Sequence, residues 1–228
     1  MRQQQSGFTL IEIAIVLVII GLLLGGVLKG QELITQAKIK NVINDFNGVS
    51  TAVYGYQDRY RRIPGDDPAA TTRWTILNSV TLPATAGDGQ LTGNFDDNTS
   101  TYSETQMFWA DLRLAGFISG DTATLAAATA LPQNAASGNL GVQWATVTAP
   151  GAGGGSATSP LQFSAPGLLV CSTQLPGKIA ESVDVQLDDG HPNTGSIRAF
   201  ESATPIPNTA ATGYKDDATT VYTICKLL

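Results

Sequence analysis

The stretch FTLIEIAIVLVIIGLLLGGVL, residues 8–28, decides the fold, because it is an unbroken apolar run whose only charge is Glu12. At 1.5 Å rise per residue, about 20 apolar residues cross a hydrocarbon core roughly 30 Å thick. The stretch therefore predicts a membrane-spanning helix. A carboxylate inside such a helix is energetically costly and usually has a partner, so Glu12 is a candidate functional residue.

A polar leader, MRQQQSG at residues 1–7, precedes the apolar run. In a secretory signal the apolar region lies before the cleavage site and is removed with it. Cleavage between Gly7 and Phe8 would instead remove only the leader, leave the apolar helix on the mature chain and create an α-amine at Phe8. That amine would lie about one helical turn from Glu12, and an ammonium is the partner that a buried carboxylate needs.

The segment GFTLIE, followed by the apolar run, resembles the processing site of type IV prepilins and type II secretion pseudopilins. The resemblance implies a membrane peptidase that cuts after Gly7 and methylates the Phe8 amine. It also implies that Glu12 meets the amine of a neighbouring subunit during assembly. Because it covers only the N-terminal part of the chain, it implies filament building more strongly than any particular filament. The alternative is a permanent single-span anchor that carries an isolated glutamate.

The resemblance implies a pilin-like structural subunit rather than an enzyme. It would sit in the bacterial inner membrane by a single span with its head in the periplasm, and then enter an extracellular pilus or a periplasmic pseudopilus. A pilus would serve adhesion, motility or DNA uptake, whereas a pseudopilus would serve type II protein secretion. Whether the chain is a major or a minor subunit stays open. The alternative from another class is a membrane-anchored periplasmic binding domain or enzyme, which would keep its leader.

The implied partners are proteins of the membrane and of the filament. They are other pilin subunits, a prepilin peptidase that also acts as methylase, an inner-membrane assembly platform and a separate ATPase motor, together with membrane lipid. The sequence has no Walker-type glycine-rich loop, so the motor has to be another protein.

Charge is shared unevenly along the chain. Residues 1–62 carry seven Lys and Arg against four Asp and Glu, whereas residues 63–228 carry six against fifteen. An acidic head lacks the broad basic footprint of nucleic-acid-binding proteins, so we expect no clear nucleic-acid site. The cluster of Arg59, Arg61 and Arg62 comes just before Pro64, where cations complement the helix dipole and proline ends the helix.

Beyond the span, apolar residues recur at spacings of three and four, which predicts that the helix continues with one apolar stripe facing the head. The stripe consists of Ile39, Val42, Ile43, Phe46, Val49, Val53, Tyr56 and Tyr60. The predicted organisation is a leader at residues 1–7, a transmembrane and filament-core helix at 8–28, an amphipathic continuation at 29–62, and a globular head at 63–228.

The head is predicted to be α+β, with a mainly antiparallel sheet. Ser103 and Gln106 have the S-x-x-Q form of a capping box, and Gly116 is suited to follow the end of that helix. A second helix is predicted from Pro176 or Gly177 to Leu187. Strands are predicted at residues 141–147, 168–172, 196–201 and 220–227, where β-branched and aromatic residues lie between turn signals.

The segment 122–170 contains no charged residue. Its Ala, Gly, Ser and Thr content predicts long surface loops around the strand at 141–147, which would be either poorly ordered or a neutral surface for lateral contacts between subunits.

The only two cysteines, Cys171 and Cys225, predict a disulfide, because an even pair in a head delivered to an oxidising compartment is usually bridged. The closed loop of about 55 residues would stabilise the head by roughly 4 kcal/mol in the chain-entropy model. Two buried free thiols are the alternative. The pair also resembles the cysteines that enclose the C-terminal region of many pilins.

Acidic clusters at residues 87–104 and 188–190 offer the oxygen ligands that calcium prefers. Neither has the EF-hand spacing, and Asp-Gly is the ordinary chemistry of a tight turn. We therefore favour turns and predict no metal and no cofactor. The sole histidine, His191, lies in a turn-like run without a G-x-S-x-G or HExxH motif, so we also predict no catalytic residue.

Overall fold

The computed structural model describes residues 9–95, 97, 102–145, 163, 165–201, 210–217 and 219–228. It contains two compact units, Met1–Lys38 and Ile39–Leu228. The predicted cleavage position between Gly7 and Phe8 lies outside the described residues.

The first helix, α1, runs over Leu10–Tyr60 and has 51 residues. It confirms the long N-terminal helix that the apolar run and the following stripe predict. The helix ends slightly before the predicted residue 62, because Arg61 has a left-handed φ of 58°. The Arg61 N–H still donates to the Gln57 carbonyl over 2.8 Å, so the last turn is closed before Pro64.

The predicted stripe supplies one wall of the core of the second unit. There it packs with residues of the sheet and of two further helices, among them Phe108, Val170, Val183 and Ile224. Ile43 and Tyr60 are only partly buried. The buried residues of α1 are Ile39, Val42, Phe46, Val49, Ala52, Val53 and Tyr56.

The described residues contain one four-stranded antiparallel sheet with the order β1-β2-β4-β3. Together with the helices it confirms the α+β class. The second strand is longer than predicted, because a bulge between Ser172 and Leu175 lets pairing with the last strand resume after the interruption. The strands are β1 Leu140–Ala145, β2 Gly167–Pro176, β3 Ile197–Glu201 and β4 Val221–Leu227.

Two head helices were predicted correctly from their end signals. One begins after Ser103 with the expected capping box, in which the Ser103 N–H donates to Gln106 Oε1 over 3.1 Å. Gly116, which follows the end of that helix, has a φ of 80°. The helices that follow α1 are α2 Ala70–Arg73, α3 Glu104–Leu114, α4 Leu125–Thr129 and α5 Gly177–Leu187, with a 3₁₀ turn at Thr75–Leu77.

Loops make up much of the described part of the uncharged segment, but a short helix that was not predicted interrupts them. Helix α4 lies there, and its Thr124 side chain accepts a hydrogen bond from the Ala127 N–H over 3.2 Å. Ala128 is fully buried in a cluster with Met107 and Ala110 of α3. The small Ala128 side chain thus serves close packing of α4 against α3. Residues 146–162 and 164 of this segment lie outside the described part of the chain.

Candidate functional site

Glu12 lies in the first turn of α1 and is bonded to Thr9. Its Oε2 accepts hydrogen bonds from the Thr9 N–H over 2.8 Å and from Thr9 Oγ1 over 2.7 Å. The Glu12 N–H in turn donates to Thr9 Oγ1 over 3.4 Å. This reciprocal pattern is a capping box, with Thr9 before the helix and Glu12 at its third position. Within the single chain, Glu12 therefore has an intramolecular partner.

Thr9 is a residue that the sequence analysis did not single out, although the T-x-x-E spacing in front of an apolar run is the known signature of a capping box. Gly7 and Phe8 lie outside the described residues. Cleavage at Gly7, methylation of Phe8 and a pairing of Glu12 with an amine therefore stay predictions.

The surface around Glu12 is apolar on every side of the helix. The first part of α1 is long and apolar enough to cross a membrane. Apolar surface of this extent requires lipid or other apolar helices to cover it. The exposed large apolar side chains in this part are Leu10, Ile11, Ile13, Ile15, Val16, Leu17, Val18, Ile19, Ile20, Leu22, Leu23, Leu24, Val27, Leu28, Leu33 and Ile34.

The predicted disulfide between Cys171 and Cys225 is present. The two residues lie directly opposite each other on β2 and β4, and both are fully buried. Leu169 and Phe200 pack in the same apolar cluster. The bridge therefore fastens the last strand of the chain to the middle of the sheet.

A second polar arrangement, the polar joint, lies where α1 ends and consists of Tyr56, Asp67, Arg73 and Asp111. The buried Asp67 Oδ2 accepts hydrogen bonds from the Tyr56 hydroxyl over 2.9 Å and from Arg73 Nη1 over 2.8 Å. The Arg73 guanidinium also lies over the Tyr60 ring, 4.2 Å from its centroid. The joint holds the end of α1 and the segment leading to α2 against each other.

The glycine of the run YRRIPGDDP is required by the geometry of the joint. Gly65 has a φ of 84°, and a Cβ at this position would lie 2.2 Å from the Glu104 carbonyl oxygen. This close approach lets the Gly65 N–H donate to Asp111 Oδ2 over 2.7 Å. The sequence analysis assigned no role to Gly65, because its partners are distant in the sequence.

Asp111 is a buried carboxyl group with one unsatisfied oxygen. Oδ1 is buried and has no hydrogen-bond partner among the described residues. Burial raises the pKa of Asp111 to about 7, and the negative charge of Asp67 adds to this rise. The hydrogen bond from Gly65 and the positive charge of Arg73 lower the pKa and offset only part of it.

We expect Asp111 to make the head less stable as the pH rises from about 4 to 7. In this interval the folded state holds a proton on Asp111 that the unfolded state, with an ordinary pKa of 3.8, has released. Each rise of one pH unit in this interval then lowers the free energy of unfolding by up to about 1.4 kcal/mol. Asp111→Asn has no such proton, and its amide oxygen still accepts from Gly65.

The measurement is urea unfolding of the wild type and of Asp111→Asn between about pH 4.5 and pH 7. The difference between their free energies of unfolding is expected to change by roughly 2–3 kcal/mol in favour of the variant as the pH rises. Asp121→Asn is the control, because Asp121 is exposed and bonds only a local turn at Ala123. Parallel pH curves for the wild type and Asp111→Asn would contradict the assignment.

The first acidic cluster of the sequence forms turns. Gly87 and Gly89 have φ values of 98° and 88°, and their N–H groups both donate to the buried Asp66. Glu104 is also buried and accepts from the Thr92 N–H over 2.7 Å. Asp96 and Asn98, which the sequence analysis grouped with this cluster, lie outside the described residues.

In the second acidic cluster, His191 is exposed and its backbone N–H donates to Asp189 Oδ1 over 2.9 Å. This bond closes a local turn, as the sequence pattern predicts.

A family model described as the prokaryotic N-terminal methylation motif matches residues 2–28 of the chain. The chain is also 33% identical over 97 residues to fimbrial protein EcpC from Eikenella corrodens. These matches support a type IV pilin-like family. The alignment with the fimbrial protein covers 40% of this chain and 63% of that relative, so the chain spans less than two thirds of the relative's length. No solved structure matches the chain.

Residues 10–28 of the matched motif lie on the exposed apolar part of α1. The disulfide-bonded α+β head follows on the same chain.

Proposed function

We propose that the chain is a pilin-like structural subunit that is cut between Gly7 and Phe8 by a prepilin peptidase, methylated on Phe8 and built into a type IV pilus-like filament. The filament would serve adhesion, motility or DNA uptake. The observation that carries the proposal is the match to the methylation motif at residues 2–28, of which residues 10–28 lie on the exposed apolar start of α1.

Before assembly, the span would hold the precursor in the inner membrane with its head in the periplasm. Assembly would move the helix from lipid to a bundle of neighbouring helices, by means of an inner-membrane platform and a separate ATPase motor. Lipid tails are as apolar as leucine, so transfer of the apolar side chains supplies little driving force. Packing and polar contacts between helices therefore have to favour the filament over the lipid-embedded state. Glu12 is the charged side chain of the span that can make such a polar contact.

The capping box gives Glu12 a place in the mechanism before assembly. Its hydrogen bonds from Thr9 satisfy one carboxylate oxygen inside the chain and lower the cost of holding the acid in the membrane. A carboxylate has about four acceptor sites, so Glu12 keeps capacity for a second partner. The Phe8 amine of a neighbouring subunit would supply that partner in the filament.

A pseudopilus of a type II secretion system is the second candidate within the same class. The similarity to a fimbrial protein favours the surface pilus. Both candidates require the same processing, so one experiment tests them together against a membrane-anchored binding domain or enzyme.

The test is mass spectrometry of the N-terminus of protein purified from membranes and filaments. We expect the wild type to begin with N-methylated Phe8. Gly7→Ala is expected to accumulate as precursor, because the peptidase has to fit the backbone at the scissile bond. Gln4→Ala is the control and is expected to be processed normally. Assembled wild-type protein that still begins with Met1 would contradict the proposal and favour the permanent anchor.

A further inference from the structure

A polar cavity of about 320 Å³ lies between α3, α4 and the loop that leads from α4 to β1. This volume is at the lower end of the range of ligand sites, so the cavity suits a small ligand. Most of the described residues that line it belong to the uncharged segment 122–170. Assembly through α1 gives no role to this segment, so the cavity is a feature that the proposed filament does not explain.

The wall of the cavity is held in place by hydrogen bonds inside the head. Arg113 of α3 donates through Nη1 to the Ala128 carbonyl near the end of α4. In the loop to β1, the Leu140 N–H donates to the Pro132 carbonyl over 2.8 Å. The wall therefore does not depend on a ligand for its shape, and preformed cavities of this kind are typical of ligand sites.

Asn139 supplies a side-chain amide to the lining of the cavity. Its backbone is fixed, because its N–H donates to Thr173 Oγ1 over 2.8 Å and its carbonyl accepts from the Thr173 N–H over 3.0 Å. The side chain is exposed and forms no hydrogen bond with any other described residue. An amide has two donor hydrogens and an acceptor oxygen, so it can bind a hydroxyl group of a ligand as donor or as acceptor.

Asp97 and Tyr102 add a carboxylate and an aromatic ring to the lining. Asp97 Oδ2 accepts from the Asn94 N–H over 2.9 Å, which fixes the carboxylate and leaves further acceptor sites. The Tyr102 ring packs against the cluster that contains Met107 and Ala128, and it stays partly exposed. Hydroxyl groups of a ligand can donate to the carboxylate, and the C–H face of a sugar ring can pack on the aromatic ring.

The charge of the cavity favours a neutral ligand. Asp97 is the only charged residue among the described residues that line the cavity. Its negative charge would repel a carboxylate or phosphate group of a ligand. The other polar groups of the lining are uncharged amides and hydroxyl groups, which bind the hydroxyl groups of a neutral ligand without burying an unpaired charge.

We propose that this cavity binds one neutral sugar unit of a glycan. Asn139 and Asp97 would bind neighbouring hydroxyl groups of the sugar ring, and Tyr102 would cover its apolar face. The site goes beyond the proposed structural role of the chain, and only its use in adhesion rests on the proposed filament. Sugar binding by the head requires neither cleavage at Gly7 nor assembly, so the two proposals fail independently.

The experiment uses the purified full chain in a detergent whose head group contains no sugar. Saturation-transfer difference NMR is recorded with glucose, galactose, mannose and N-acetylglucosamine, each added alone. At least one of them is expected to bind, with a dissociation constant on the order of 10⁻³ M. Glucuronic acid is expected to bind at least about fivefold more weakly than that sugar, because its carboxylate would meet Asp97.

Asn139→Ala is the deciding variant, because it removes the amide and keeps the backbone hydrogen bonds to Thr173. We expect it to weaken binding of the sugar by about tenfold. Asn193→Ala is the matched control, since Asn193 is an exposed asparagine of the loop that follows α5 and does not line the cavity. It is expected to bind the sugar like the wild type.

Ala126→Phe tests the cavity by filling it. Ala126 lines the cavity and is exposed, so a larger side chain there occupies the cavity without entering the core of the head. We expect binding of the sugar to be lost in protein that retains its wild-type circular dichroism spectrum.

Absence of a signal from all four neutral sugars with the wild type at about 20 mM would overturn the proposal. Unchanged affinity in Asn139→Ala or in Ala126→Phe, or equal weakening in Asn193→Ala, would overturn it as well, because the sugar would then bind elsewhere. Tighter binding of glucuronic acid or of ethanolamine than of any neutral sugar would assign the cavity to a charged ligand and contradict the proposal.

Discussion

Replacing Glu12 by alanine is expected to abolish filament assembly while the precursor still enters the membrane. Removal of a charged group lowers the cost of inserting the span, so the amount of membrane-held precursor should be at least that of the wild type. The variant loses both its counter-charge for an amine and its capping box with Thr9. Loss of the capping box alone costs only about 1 kcal/mol at the start of the helix.

Glu12→Gln separates the two roles of the acid. Glutamine keeps the shape and an acceptor oxygen for the Thr9 N–H and hydroxyl, so it preserves the capping box. It leaves an opposing ammonium without a counter-charge, and breaking a buried pair in this way costs roughly 3–5 kcal/mol. We therefore expect filament yield to fall by about a hundredfold or more. Thr9→Val is the complementary control, because it removes the side-chain cap and keeps the charge.

The measurement is filament yield, normalised to processed subunit in the membrane, for the wild type and the three variants. A strong loss for Glu12→Ala and Glu12→Gln with a mild loss for Thr9→Val would assign the effect to charge pairing. Normal yield for Glu12→Gln would show that the capping box is sufficient for assembly without the negative charge of Glu12. Normal yield for Glu12→Ala would show that the acid is not an assembly determinant. A pair between Glu12 and the Phe8 amine of its own chain is the competing explanation for a loss of filament yield.

Cells that express wild-type and Glu12→Gln subunits together can distinguish the competing explanation from pairing between subunits. If each acid pairs with the amine of a neighbour, a variant subunit also leaves the amine of a wild-type neighbour without its counter-charge. The variant should then depress the yield of wild-type subunits in the filament. If the pair lies within one chain, only the variant subunits should be lost.

The elements that were predicted from the sequence are those with local signals. The apolar run and the stripe of α1 predicted the long helix, and the box at Ser103 and Gln106 predicted α3. All four strands were located by their β-branched and aromatic residues, to within a few residues at their ends. Helix α4 was missed, because a five-residue helix has almost no periodicity and depends on its contacts with α3.

The polar arrangements were not predicted, because their members are far apart in the sequence. Asp111 bonds Gly65 across 46 residues, and Tyr56 bonds Asp67 across 11. No helical or strand period connects such residues, and only tertiary packing of α1 and α3 brings them together. Asp184 likewise accepts a hydrogen bond from the Tyr214 hydroxyl across 30 residues. Thr9 differs from these residues, because its T-x-x-E spacing with Glu12 can be read directly from the sequence.

Loss of the disulfide between Cys171 and Cys225 is expected to lower the free energy of unfolding of the head by about 4 kcal/mol. The bridge closes a loop with a sequence separation of 54. It stabilises the head mainly because it lowers the conformational entropy of the unfolded chain. Because β4 is the last strand and pairs with both β2 and β3, its detachment would also expose the core between the strands. Few single changes in the head should have a larger effect.

Tryptophan fluorescence during urea unfolding can report this loss for the head alone. All three tryptophans lie in the head, so α1 outside it does not contribute to the signal. Reduced wild-type protein keeps both sulfur atoms in the apolar cluster, whereas the double variant Cys171→Ala and Cys225→Ala also loses their volume. A similar drop in both would assign the stabilisation to the bridge, and a drop confined to the double variant would assign it to packing.

Alkylation tests the bridge in exported protein that has not been reduced. Both thiols are expected to stay unreactive after denaturation under non-reducing conditions and to become reactive after reduction, because only a free thiol can form the thiolate that attacks the reagent. Ready alkylation without reduction would show that the exported head carries free cysteines. The last strand would then be held by β-pairing and burial alone, and reduction would leave the free energy of unfolding unchanged.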